Sequence, residues 1–164
     1  MISKKLEEMI NKQINAELYS AYLYLSMSAY FTSENLHGFA HWMRVQAQEE
    51  VGHAMRLYDY LNEKGGRVVL DAIEKPKHSW SSPLEAFEEA YQHECKVSAM
   101  INEIMAEARK ESDYATEEML HWFVREQVEE EANPDTIRRM LKLAEKHTGA
   151  LFMIDAKLAE RKPE

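Results

Sequence analysis

Two acidic residues in the first half of the chain, Glu17 and Glu50, stand 33 positions apart, and His53 follows three residues later. The second half repeats the spacing with Glu94 and Gln127, followed three residues later by Glu130. Carboxylates and one imidazole are hard to borderline ligands, better suited to Fe, Mn or Zn than to Cu(I). Glu50 and His53, at i and i+3, share a helix face and can hold one ion together. All of these residues fall on apolar stripes that a helical protein buries. Carboxylates are seldom buried without compensation, because desolvating a charge is costly. Two nearby cations would neutralise Glu17, Glu50, Glu94 and Glu130, and without them the layer should be less stable.

Other groups flank this layer. Tyr24 lies two helical turns after Glu17 on the same face. Its hydroxyl can hydrogen-bond a ligating carboxylate, donate an electron, or simply be a satisfied core hydroxyl. Glu49, Glu126 and Glu129 sit beside the buried positions and can be solvated surface charges or a second, looser cation site. The remaining histidines (His37, His41, His78, His93, His121 and His147) show no supported metal spacing. Cys95, the only cysteine, reads as a buried thiol off the main seam. One cysteine leaves no basis for an intrachain disulfide, a thiolate zinc site or an iron–sulfur cluster.

The elements that must position these groups read as helices with a 3–4 apolar alternation. The first is expected from about Ser3 to Phe31, with the stripe Leu6, Ile10, Gln13, Glu17, Ser20, Tyr24, Met27 and Phe31. The second should start near Asn35 and stop at Gly65-Gly66. The third has a capping box, with Ser82 as N-cap, Pro83 at the first position and Glu85. Asp113 caps the fourth, whose phase runs unbroken from Leu120 to Ala144 through Pro134. That phase favours one helix with a kink near Glu130 over a split at Asn133-Pro134. A four-helix bundle over about 3–145 and a fifth short helix over about 149–160 follow, as one domain spanning residues 1–164. Two tight hairpins joined by the long connection from Arg67 to Ser81 describe a ferritin-like arrangement rather than simple up-down-up-down.

Composition agrees with this all-α reading. The 164 residues include only 5 glycines and 4 prolines, and the formal charge is -9. An acidic chain lacks the basic face that nucleic acid requires, and its field favours cations. No apolar run is long enough to span a membrane, and the N-terminus lacks the apolar segment of a signal peptide. A reducing cytoplasm is the expected location.

Several sequence blocks carry a family resemblance over essentially the full length. They are Gln13-Ile14-Asn15-Ala16-Glu17 through Tyr22-Leu23-Tyr24-Leu25-Ser26-Met27, Gly38-Phe39-Ala40-His41-Trp42-Met43, and Gln48-Glu49-Glu50 with His53-Ala54-Met55. Gly65-Gly66-Arg67-Val68 and Glu126-Gln127-Val128-Glu129-Glu130-Glu131 complete the set. The chain resembles the prokaryotic non-haem ferritins. That resemblance implies a ferroxidase centre with a first iron on Glu17, Glu50 and His53. A second iron would lie on bridging Glu50, Glu94 and Glu130, with Gln127 nearby. It also implies a third iron site at Glu49, Glu126, Glu129 and Glu130, and a redox-active role for Tyr24. Fe(II) would be oxidised to Fe(III) by O2 or H2O2 and stored as ferric oxyhydroxide in a homo-oligomeric shell of 24 subunits.

Two departures refine the resemblance. Bacterioferritins carry histidine at the position of Glu130 and a haem-binding methionine just after the position of Glu50. Here the residue after Glu50 is Val51, so no haem is expected. Pro134 interrupts a stretch that is normally uninterrupted helix. The alternative function is a dinuclear oxidase or peroxidase of the rubrerythrin type with permanently bound metals. Such enzymes often add a module with four cysteine ligands, which one cysteine cannot supply. A scaffold with a vestigial polar layer would be a third reading, opposed by the complete ligand set.

Overall fold

The computed structural model describes all 164 residues. It contains five helices and no strand: α1 (Lys4–Ser33), α2 (His37–Glu63), α3 (Pro83–Lys110), α4 (Tyr114–Ala144) and α5 (Thr148–Leu158). The expected caps are in place. The Ser3 hydroxyl accepts from the Leu6 amide, Ser82 from Glu85, and Asp113 from Thr116. Each satisfies a backbone donor that a helix start leaves free.

The hairpin turns use left-handed residues. Asn35 (φ 59°) follows α1 and Ser112 (φ 57°) follows α3. At both turns the next amide returns to the helix just ended, Leu36 to the Phe31 carbonyl at 2.9 Å and Asp113 to that of Ala108 at 2.8 Å. These are Schellman-type stops. Asn35 therefore terminates α1 and does not begin α2, which starts at His37.

Contacts between the helices define the topology. Lys5 pairs with Glu107 at the far end of α3, while Phe31 packs against Phe87 near its start. Thus α1 and α3 run antiparallel. Tyr60 bonds Thr116 and Gln46 reaches Glu130, so α2 and α4 also run antiparallel. With each hairpin antiparallel, α2 and α3 must point the same way, and residues 64–82 must travel the length of the bundle.

This crossover is strapped to α1 by side chains gripping its backbone. Glu7 accepts from the Arg67 amide, Asn11 bonds both the Arg67 carbonyl and the Val69 amide, and Asn15 donates to the Asp71 and Ala72 carbonyls. Ser26 takes the Lys77 carbonyl at 2.6 Å. From Glu7 to Ser26 the strap covers about 28 Å at about 1.5 Å per helical residue.

α4 continues unbroken through Pro134. The proline ring nitrogen has no hydrogen to offer the Glu130 carbonyl, so the helix loses a backbone bond beside a candidate ligand. α5 packs on α2 and α4. The Asp155 side chain accepts from the Phe39 amide at 3.0 Å, supplying the cap that Leu36 cannot. The approach requires Gly38, where an added Cβ would stand 1.7 Å from the Asp155 carbonyl oxygen.

The interior divides into two apolar clusters. One, around Phe31, Phe39, Met43 and Phe87, fills the end nearest α5. The other, around Leu6, Ile10, Leu57, Ile101 and Leu120, fills the opposite end. Between them lie Gln13, Glu17, Ser20, Gln46, Glu50, His53, Glu94, Gln127 and Glu130, all buried.

Candidate metal centre

Each of the four bundle helices contributes to this polar layer. Glu17, Glu50 and Glu94 are each 1% exposed, and Glu130 is 5% exposed. Donor atoms of Glu17, Glu50 and His53 lie within 4.8 Å of one another, and so do those of Glu50, Glu94 and Glu130. Glu50 belongs to both groups, so its carboxylate is shared between them. His53 Nδ1 lies 3.2 Å from Glu50 and 3.9 Å from Glu17.

The electrostatics call for cations. The only basic side chain within ion-pair range of Glu17, Glu50 or Glu130 is His53. Burial raises the Glu17 carboxyl to about 8, with the Glu50 charge adding to the effect. Burial likewise raises Glu130 to about 8, with Glu94 contributing, and Glu94 to about 7. Glu50 is pushed well above the ordinary carboxylate range by burial and by Glu94 and Glu130. Without metal the layer therefore retains protons near neutrality, and cations that enter must displace them.

Neutral side chains hold the carboxylates in place. Gln13 donates to Glu17 at 2.7 Å. Gln46 donates to Glu50 at 2.8 Å and to Glu130 at 2.5 Å, linking α2 to α4. The Tyr24 hydroxyl donates to Glu94, and burial holds the phenol well above its usual range, so it keeps its proton. Gln127 donates to the Glu94 side chain and carbonyl, both at 3.3 Å, and to Ser98 at 3.1 Å. Two atoms of this layer, Gln13 Oε1 and Glu17 Oε2, are buried with no hydrogen-bond partner. A carboxylate oxygen left in that state, facing His53, fits a cation position.

The outer acids divide. Glu126 and Glu130 join His53 in a third group of convergent donors, with His53 Nε2 3.8 Å from each. Glu49 is instead ion-paired with Arg161 at 2.5 Å, and Glu129 is exposed. The structure thus brings together part of the expected third site and adds His53 to it.

Gln13 and Gln46 were not singled out by sequence, although a signal exists. Each stands four residues before its glutamate on a buried stripe, the spacing of helical neighbours. His93, which shows no metal spacing in the sequence, packs beside the layer. Its Nε2 contacts the Ser20 hydroxyl at 2.7 Å, and its ring meets Tyr24 edge-on at 6.1 Å. Burial lowers His93 to about 4, so it stays neutral beside the tyrosine. Cys95 is only half-buried, since its position on α3 faces away from the seam.

A profile of the ferritin-like domain matches residues 7–144. The chain belongs to the ferritin family. It is 46% identical over 161 residues to a bacterial non-heme ferritin from Bacteroides fragilis, covering 98% of this chain and all of that one. A probable bacterial non-heme ferritin-like protein from Haemophilus influenzae is 38% identical, with 96% of each chain covered. Among solved structures, an engineered closed form of the Archaeoglobus fulgidus ferritin superposes with a TM-score of 0.98 at 50% identity, with both chains fully covered. The open-pore ferritin of the same hyperthermophilic archaeon gives 0.97 at 51% identity, with 98% of each chain covered. The ferritin bundle with its short fifth helix is therefore the fold of this chain. No helix is long and apolar enough to cross a membrane.

Proposed function

We propose that this ferritin is an iron-storage ferroxidase in which iron is the substrate. The observation that carries the reading is Glu50, whose carboxylate serves two adjacent groups of buried donors. One Fe(II) would bind Glu17, Glu50 and His53, and the other Glu50, Glu94 and Glu130, displacing the protons those acids hold. Two Fe(II) deliver two electrons to O2, which takes up two protons to give H2O2. With H2O2 as oxidant, the same two electrons and two protons yield two waters. Tyr24, bonded to Glu94, is placed to lend an electron and a proton. No haem takes part in this scheme.

The product Fe(III) then leaves past His53, Glu126 and Glu130 and is stored as ferric oxyhydroxide. The second half supports that passage, because it offers a neutral amide at Gln127 and, with Glu130 in place of a second histidine, no imidazole to retain a metal as a fixed cofactor. Storage needs an enclosed volume, so we assign the chain to a homo-oligomeric shell of 24 subunits. Two apolar surfaces favour self-association. Tyr22, Leu25, Val51 and Ile73 lie exposed along the α1–α2 face, and Leu143, Phe152 and Met153 at the α5 end.

Aerobic Fe(II) loading combined with solution mass tests this reading. Expected is a large assembly whose iron content far exceeds the two cations per subunit that the buried pocket accepts. Saturation at two per subunit would instead identify a permanent dinuclear cofactor of an oxidase or peroxidase.

A further inference from the structure

One acid outside the dinuclear pocket, Glu49, already holds a cation that belongs to the chain itself. Arg161 lies beyond α5 and folds back on α2. Its guanidinium pairs with Glu49 at 2.5 Å, lies over the Trp42 ring at 4.2 Å and donates to the Trp42 carbonyl at 3.3 Å. The Arg161 carbonyl in turn contacts His41 Nε2 at 2.7 Å. The pair is well covered, with the Arg161 and Glu49 side chains 16% and 15% exposed.

The same segment walls the outer donor group. Pro163 and Glu164 line a cavity of ≈ 480 Å³ together with Glu49, His53 and Glu126. Glu49 stands beside the group formed by His53, Glu126 and Glu130 but does not join it. Its ion-pair partner is instead Arg161. Yet Glu49 has binding capacity left, because its Oε1 is buried without a partner.

We propose that Arg161 is a built-in competitor for the outer cation site. It occupies Glu49 while the site holds no metal. A cation on His53, Glu126 and Glu130 can recruit Glu49 only by displacing the guanidinium, since two cations at one carboxylate repel. A covered, charge-assisted pair is strong enough to weaken that recruitment. Arg161 thereby keeps the outer site weaker than the dinuclear pocket, as a position through which iron passes rather than rests. This inference rests on the ferroxidase reading and assigns the step after oxidation.

Calorimetric Zn(II) titration of the assembled, metal-free full chain tests it, comparing the unaltered protein with Arg161→Gln and Arg161→Lys. Two tight steps should be the same in all three. A later, weaker step should tighten about tenfold in Arg161→Gln, within the range of a charge-assisted contact, and stay near its original value in Arg161→Lys. The tightening should vanish when Glu49→Gln is added, which isolates the pair. In zinc-soaked crystals Glu49 should leave Arg161 for the metal. An unchanged third step in Arg161→Gln would overturn the proposal. So would uniform weakening of all steps, or bound zinc beside an intact Glu49–Arg161 pair. Absence of the two tight steps from the unaltered protein is a different pattern and would overturn the dinuclear reading itself.

Discussion

In the α1–α2 hairpin, Glu17, Glu50 and His53 converge without help from the rest of the bundle. The α3–α4 hairpin supplies only Glu94 and Glu130 to the pocket and needs Glu50 from across the bundle to complete a donor group. The same 33-residue spacing thus produces two unequal half-sites. In the first half, Gln13 and Gln46 each donate to a glutamate one turn later. In the second, Gln127 stands where the spacing puts Glu50 in the first, and its amide donates to Glu94. The first half assembles a donor group by itself, and the second assembles one only with Glu50.

Three measurements would break or sharpen that comparison. Glu50→Gln removes the donor common to both groups. It should lower the initial rate of aerobic Fe(II) oxidation by roughly 100-fold or more, given what single ligands contribute at metal sites, and should abolish both tight Zn(II) steps. If one tight step survived, the half-sites would be independent and the sharing of Glu50 incidental.

Gln127→His makes the second half match the first in its ligand types. Added imidazole should tighten the second Zn(II) step by about tenfold while slowing the transfer of oxidised iron to mineral. The first step should not move. An unchanged second step would show that the amide is not what weakens this half.

The smallest effect concerns protons. Glu17, Glu94 and Glu130 are raised from 4.5 to about 8, 7 and 8 in the folded chain. A raised pKa means that folding favours the protonated form. The associated stability is full below about 4.5 and is lost as pH rises through 7 to 8. Metal-free protein should therefore melt several degrees lower at pH 8.5 than at pH 5.5. Zn(II) should reverse the slope, because the metal competes with these protons. A flat profile in metal-free protein would mean that these three acids are solvated in a way the buried geometry does not provide.

Much of this organisation was legible in the chain. The helical stripes are long, and the Ser3, Ser82 and Asp113 caps are local signals, so four helices and a crossover follow from short-range chemistry. The unbroken phase through Pro134 indicated one helix, and α4 is one helix. The start of α2 was misplaced because Asn35 suits both a helix start and a left-handed stop, and only the backbone path distinguishes them. The buried polar layer was readable because ionisable residues on an apolar stripe conflict with burial unless something compensates them. The placement of the outer acids was less readable. Glu49, Glu126 and Glu129 are adjacent to buried positions, but a small rotation about a helix axis decides which face inward. In the fold Glu126 faces His53, Glu129 faces solvent, and Glu49 turns to Arg161.

Sequence alone determined the helices, their stops and the inventory of buried acids, because caps and the 3.6-residue period act over one or two turns. Tertiary structure decided which acids meet. Glu50 became common to two donor groups only when α2 packed between α1 and α4. His93 came to rest beside Tyr24, and Arg161 reached Glu49 from 112 residues away. Such pairings depend on helix rotation and crossover path, which local periodicity does not encode.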